Sequence, residues 1–271
     1  MDRGSLSGSP VTGSTPDCLS LVALGPARSG NTATMNALLV CELHAHSTWS
    51  DGFLTLAELV DLHGNADVDV LCITDHAVRL DDPSPNAVDA WTWPAYAAAI
   101  RAEAARALSE YGLILIQGLE LSDNHEDPDL SAHALAIGLE RYVSMDAGFV
   151  PALEEANNQS AAVVAAHPYT SSDVNAHRAT RRIWRERDAL RGLLHRYELF
   201  NRREVFTWVA AEGLPPVAAG DVHRAEHLAS WKTLLPCDRD PAAVVAHLRS
   251  SGRVLLTPFA PEQAANLPIA A

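Results

Sequence analysis

Nine side chains able to bind metal punctuate one stretch of the chain, most at the ends of apolar runs: His44, His46, Asp51, His76, Glu120, His133, His167, Asp221 and His223. Imidazole nitrogen and carboxylate oxygen suit zinc, manganese or iron, whereas a structural zinc or an iron–sulfur centre would draw on thiolates. No Cys-x-x-Cys occurs. The pattern reads as a multinuclear metal hydrolase.

Strands must position these residues. The segment 37–46 is apolar almost throughout, with Glu42 its charged interruption, and it closes on His44 and His46. Residues two apart on a strand share a face and lie roughly 6 to 7 Å apart, so one ion can take both imidazoles. The same arithmetic applies to Asp221 and His223 after the apolar run 216–220. Between them, Val70–Thr74 runs into Asp75 and His76, and Leu113–Ile116 runs into Gln117-Gly118-Leu119-Glu120. His133 and His167 sit at the edges of two more apolar runs, with Pro168 placed to end the second. Ligands at one end of many parallel strands converge at the C-terminal mouth of a barrel.

These motifs resemble the polymerase and histidinol phosphatase (PHP) superfamily. The resemblance rests on His44-Ala45-His46 with Ser50-Asp51-Gly52, Ile73-Thr74-Asp75-His76, His167-Pro168 and Asp221-Val222-His223, joined by Gly118-Leu119-Glu120 and His133. It spans about residues 37 to 259. It implies a metal-dependent phosphoesterase with an α/β fold, a distorted (β/α)7 barrel holding two or three divalent ions. Carried over by position, His44, His46, Glu120 and Asp221 hold one ion, and Asp51, His76 and His223 a second. Glu120, His133 and His167 hold the third, with Glu120 bridging. Some relatives carry histidine where Asp51 stands, and a carboxylate there favours harder ions modestly.

A hydroxide bridging two ions is a nucleophile at neutral pH, and the ions neutralise charge that builds on phosphoryl oxygens. Asp221, His223 and His76 are the expected catalytic residues. Protonation of the leaving oxygen falls to a metal-bound water or to an imidazole near the pocket. Arg79, on the loop after His76, could clamp a phosphate, and Arg202 and Arg203 follow the apparent strand 197–201 as further candidates. The competing reading of Arg79 is a surface ion pair with Asp81 or Asp82. Asp75 reads as a residue that orients its neighbours. Taken singly, each histidine is better read as a core or surface residue; order and strand-end placement reverse that. His63, His125, His177, His195, His227 and His247 lack the context. Trp91 and Trp93 either line the mouth or cap a loop.

A net charge of −14 argues against a broad basic groove for long nucleic acid and favours a small phosphoester. Nucleotides or nucleoside bisphosphates stand ahead of histidinol phosphate, and the absence of a long insertion between His167 and Asp221 argues against an elaborate substrate cap without identifying the metabolite. The chain has no room for a polymerase, so a proofreading role would require a separate partner. Two alternatives stay open. Amidohydrolases share the opening HxH and late aspartate, but many bridge two ions with a carboxylated lysine, and Lys232, the only lysine, lies beyond Asp221 while Glu120 holds the bridging position. The other alternative is a metal-binding scaffold without turnover, which an intact ligand set opposes.

The 271 residues, 48% hydrophobic, suit one barrel domain over residues 36–262. Alanine-rich helices such as Tyr96–Leu108 alternate with strands, while Ala210–Pro216 and Asp81–Asn86 read as loops. The arginine-bearing stretch Arg178–Arg191 reads as a solvated helix face. Residues 1–35, rich in Ser, Gly, Thr and Pro, read as a disordered leader, and 263–271 as a tail. Leu19–Leu24 is too short for a membrane span, no secretory signal is evident, and Met35 is a candidate translation start. Four cysteines without framework spacing fit the cytoplasm.

Overall fold

The computed structural model describes residues 38–83, 86–170 and 180–260. The leader 1–35 with Met35, the tail 263–271, Cys18, His177 and Arg178 lie outside the described residues.

The elements follow in order: β1 (Leu39–Glu42), α1 (Leu56–Gly64), β2 (Val70–Ile73), β3 (His76–Ala77), α2 (Trp93–Tyr111), β4 (Ile114–Asp123), β5 (Ala132–Ile137), α3 (Phe149–Asn158) and β6 (Ala162–Ala165). Then come α4 (Arg182–Arg185), α5 (Arg187–Leu190), β7 (Arg196–Asn201), β8 (Glu204–Val205), α6 (Thr207–Ala211), β9 (Pro216–Ala219), a 3-10 turn (Ala225–Leu228), β10 (Trp231–Leu235), α7 (Pro241–Arg249) and β11 (Leu255–Pro258). Thus Ala210 and Ala211, expected in a loop, close α6, and the stretch after Arg181 forms two one-turn helices in place of one helix face.

Strand order in the sheet is β11-β10-β1-β2-β4-β5-β6-β7-β8, with β3 beside β4 and β9 beside β7. The sheet curls until the chain beyond β9 returns to the chain beyond β1. There His46 N–H donates to Val222 O and Val222 N–H to His44 O, each at 2.9 Å. Pairing is parallel at β1/β2, β2/β4, β6/β7 and β7/β9. It is antiparallel at β4/β5, β5/β6 and β1/β10. The sheet is therefore mixed, and strict strand–helix alternation fails where β4 passes to β5 with no helix between them.

Strand residues alternate between two apolar layers. Leu71, Ile73, Leu115, Leu119 and Val163 face the layer that takes in α1, α2 and α3. Val70, Cys72, Ile114, Ile116 and Val164 face a second layer, which Val244 and Leu248 of α7 help to close. Burial on both faces explains why these strands read as continuous apolar runs. Helix α1 starts at a capping box, in which Thr55 Oγ1 accepts from Glu58 N–H and the Glu58 carboxylate accepts from Thr55 N–H. That cap fixes the chain just after the loop carrying Asp51.

Candidate metal centre

Strand direction brings the nine candidate ligands to one end of the curl. His44 and His46 follow β1, His76 opens β3, His167 follows β6, and Asp221 and His223 follow β9. Because β5 runs antiparallel, His133 near its start meets the far half of β4, with Ser122 directly opposite and Glu120 two residues back on the same face.

His44 Nε2 and His46 Nε2 lie 2.9 Å apart. Glu120 Oε2 is 3.5 and 3.4 Å from them, and Asp221 Oδ1 is 3.5 Å from each. Metal–ligand bonds of about 2.0–2.2 Å place two ligands of one ion about 3 to 3.5 Å apart, so these four atoms fit one cation. A second set converges on Asp51 Oδ1, with His223 Nε2 at 3.1 Å and His76 Nε2 at 3.4 Å. Around the other Glu120 oxygen, Oε1, stand His133 Nδ1 at 3.0 Å and His167 Nε2 at 3.1 Å. His167 also groups with His44 and Asp221, and His76 Nδ1 lies 2.9 Å from Glu120 Oε2.

Two atoms test whether cations fit. Glu120 Oε2 and Asp51 Oδ1 are buried yet make no hydrogen bond, while imidazole nitrogens surround both. A buried carboxylate oxygen without a donor is costly unless a cation takes its charge. The donor set, nitrogen and oxygen only, suits zinc, manganese or iron.

Electrostatics follow from the same crowding. Burial opposes the charge on Glu120, but His76, His44 and His133 hold its carboxyl well below the usual range. Asp221, likewise opposed by burial, is held low by His44, His223 and Arg202. Against the cost of burial, Glu120 and Asp51 push His76 up to about 10, and Asp221 and Asp51 push His223 up to about 9. Burial and the neighbouring His76 and His223 drive His46 the other way. The carboxylates that raise His76 and His223 are the ones whose charge divalent ions would offset.

Outer contacts fix the ligands' orientations. Glu198 Oε1 lies 2.9 Å from His44 Nδ1, and Glu198 Oε2 accepts from His167 N–H at 2.6 Å and Asn201 Nδ2 at 2.7 Å. A carboxylate behind a ligand imidazole sets its tautomer and raises its basicity. Asp75 accepts from Ser47 N–H, Ser47 Oγ and Ser50 Oγ, holding the loop that carries Asp51. Gly52 is required there, because a Cβ would collide with His46 O. Asn124 Oδ1 lies 2.9 Å from His133 Nε2, leaving Nδ1 to face Glu120. His167 and Asp221 hold φ of 28° and 45°, in the left-handed region that disfavours residues with a Cβ.

A cavity of about 790 Å³ opens above the cluster. Of the arginines expected to meet substrate, Arg203 lines it and is exposed. Arg202 also lines it, but its guanidinium is engaged by the Asp221 carbonyl at 2.8 and 2.9 Å and the Asp221 carboxylate at 3.0 Å. Arg79 does not line the cavity; it pairs with Asp123 and, at 3.0 Å, with Asp81. Trp91 is exposed, while Trp93 is buried at the start of α2.

Three positions carried no sequence signal. Glu198 is one acidic residue within a strand. Arg224 lines the cavity with its guanidinium 3.7 Å from the Phe53 ring centroid. His227, one of the six histidines without context, also lines it and accepts from His223 N–H at 3.1 Å through Nδ1. His63, by contrast, is buried on α1 with Nδ1 against Leu59 O, and burial lowers it to about 4. Lys232 is not available as a carboxylated bridge, since its amine lies 2.7 Å from Glu42 Oε2 at full burial.

No family model and no curated protein matches the chain. Among solved structures, a two-domain protein from Bacteroides vulgatus ATCC 8482, described as containing a predicted PHP-like metal-dependent phosphoesterase, superposes with TM-score 0.63. It is 20% identical, over 87% of this chain and 70% of that one. The chain has the PHP-like fold. PsfC from Pseudomonas syringae PB-5123 superposes with TM-score 0.51 at 13% identity, over 84% of this chain and 93% of its own. An amidohydrolase from Chromobacterium violaceum reaches TM-score 0.47 at 15% identity, over 68% and 87% of the two chains, too slight a likeness to bear on the reading. Among the described residues, no helix is long and apolar enough to cross a membrane.

Proposed function

We propose that the protein is a metal-dependent phosphoesterase of the PHP superfamily, its curled sheet a distorted (β/α)7 barrel, acting on a small phosphorylated metabolite. The observation that carries this reading is Glu120. One buried carboxylate presents one oxygen to His44, His46 and His76 and the other to His133 and His167, all within 3.5 Å. A carboxylate so shared is suited to bridge cations.

His44, His46, Glu120 and Asp221 would hold one divalent ion, Asp51, His76 and His223 a second, and Glu120, His133 and His167 a third. Bound ions supply a nucleophile at neutral pH and offset charge on the phosphoryl oxygens. The chain's own groups do the rest. Glu198 and Asn124 aim the imidazoles, Arg202 braces Asp221, and Arg203 and Arg224 meet the substrate's anionic group from the wall. His227, its Nδ1 occupied by a backbone donor, can offer Nε2–H to a leaving-group oxygen. The volume above the cluster has room for a nucleotide or nucleoside bisphosphate, which we place ahead of histidinol phosphate. Cys41, Cys72 and Cys237 are free thiols, in keeping with the cytoplasmic site that we propose.

The test is phosphate release by protein reconstituted with manganese or zinc, offered nucleoside monophosphates, 3′,5′-bisphosphates, histidinol phosphate and short oligonucleotides. Metal-dependent release from one of these classes is expected. Silence across the panel with metal bound would turn the reading toward amide hydrolysis or a scaffold.

A further inference from the structure

A buried ion pair lies directly behind the first candidate ion position. Lys232 on β10 and Glu42 at the end of β1 are each fully buried, with Nζ 2.7 Å from Oε2. The other oxygen, Glu42 Oε1, accepts from His44 N–H at 3.1 Å and from Gly220 N–H at 2.8 Å. One carboxylate oxygen thus ties the backbone of the first ligand to the residue that precedes Asp221. Gly220 has no side chain to spare for this approach, since a Cβ would collide with Glu42 Oε2.

The strand that carries Lys232 reinforces the tie. β10 pairs with β1 through its backbone, and its Thr233 Oγ1 donates to Ala218 O at 2.8 Å and accepts from Ala218 N–H at 2.9 Å on β9. Lys232 Nζ also donates to Leu228 O at 3.0 Å, the end of the 3-10 turn that bears His227 in the cavity wall. An apolar pair of similar volume would be as stable as a buried ion pair, or more so. It could not accept two N–H groups at the point where the ligand-bearing ends must meet. The pair's contribution is therefore to geometry.

We propose that Glu42, through the oxygen that Lys232 leaves free, is a positioning residue for the first ion, setting the separation between the chain ends that present His44 and Asp221. This rests on the metal reading above. The two can fail separately: a parent protein that binds no zinc overturns both, whereas zinc bound equally well without the tie overturns this proposal alone.

The experiment is calorimetric titration of zinc into metal-free full-length protein carrying Asp51→Ala and His133→Ala, which disable the second and third sets. Two double variants are compared. Glu42→Gln with Lys232→Met keeps an acceptor oxygen for the His44 and Gly220 amides and is expected to retain the parent's affinity. Glu42→Leu with Lys232→Met removes the acceptor and is expected to bind about 10- to 100-fold more weakly, the usual cost of losing a group that orients a metal ligand. Equal affinity in the two double variants overturns the proposal. In an Asp221→Ala, His133→Ala background, zinc bound by Asp51, His76 and His223 is expected not to change, and an equal weakening there also overturns it, since the pair would then only stabilise the fold. If the leucine variant does not fold, Gly220→Ala decides. Its methyl meets Glu42 Oε2 first and then Val222 and the His227 carbonyl, so unchanged zinc binding refutes the positioning role, and weaker binding supports it if an added Val222→Ala does not restore affinity and refutes it if it does.

Discussion

At the scale of single residues, Asp221 carries several demands at once. It offers one oxygen to the two β1 imidazoles, takes Arg202 on the other, and does so from a left-handed backbone. Such a conformation costs about 1–3 kcal/mol and persists where the surroundings over-determine it. Asp221→Ala relieves that strain only in part and empties a ligand position. We expect the variant to stay folded by circular dichroism while phosphate release falls at least about a hundredfold, since metal charge stabilisation is worth several kcal/mol. His76→Ala should behave alike; wild-type turnover in either would remove the assigned site. Titration offers a second check. His76 and His223 sit above their ordinary values, so the stability they lend the metal-free protein is complete below about pH 6.5 and fades as pH rises through 9 and 10. Glu120 and Asp221 sit below theirs, so their contribution is present above the ordinary carboxylate range and is lost in acid. Metal-free protein should therefore melt highest near neutrality and lose stability toward pH 10 in thermal scans, and a flat profile over pH 7–10 would contradict the protonated imidazoles.

Elements explain what could and could not be read from the chain. His44, His46, His76, His167, Asp221 and His223 follow apolar runs, and a run buried on both faces ends visibly where a polar ligand begins. Strand direction leaves no such mark, so the antiparallel course of β5 was not legible, although it is what carries His133 to Glu120. Glu198 was hidden for a related reason: a carboxylate inside a strand looks the same whether it meets water or an imidazole. Arg79 illustrates the converse, since proximity in sequence to His76 did not bring it to the cavity. Arg224 is brought there by the 3-10 turn it precedes, and Phe53, whose N–H donates to His223 O at 2.9 Å, supplies the surface that its guanidinium stacks on. Arg224→Ala should raise KM about 10- to 100-fold, as expected for a charged hydrogen bond of about 1.5–3 kcal/mol, with a smaller change in kcat. Steady-state kinetics on the best substrate of the panel would check it, and an unchanged KM would take Arg224 out of the binding wall.

Over the whole domain, one end of the curled sheet concentrates charge that the fold alone does not neutralise. Acids and imidazoles share a small volume, and the protein as a whole carries −14. Cations held only by the native state stabilise it by mass action. Removing metal with a chelator should lower the melting temperature reversibly, by about 2.7 kcal/mol of stability for each ion present at a hundred times its dissociation constant. Scanning calorimetry before and after chelation and reloading measures this, and an identical melt in all three states would speak against structural coupling of the ions.

The burial of Lys232 has a practical corollary. A protein whose only lysine is sealed against Glu42 presents no ε-amine to acylating reagents while it is folded. Acylation at that position therefore reports opening of the support beneath the site, and peptide mass spectrometry can follow it over time. We expect Lys232 to stay unmodified in the loaded protein and to react faster once metal is withdrawn. The rarest side chain in the chain thus serves as a built-in clock for how often the floor of the cavity comes apart.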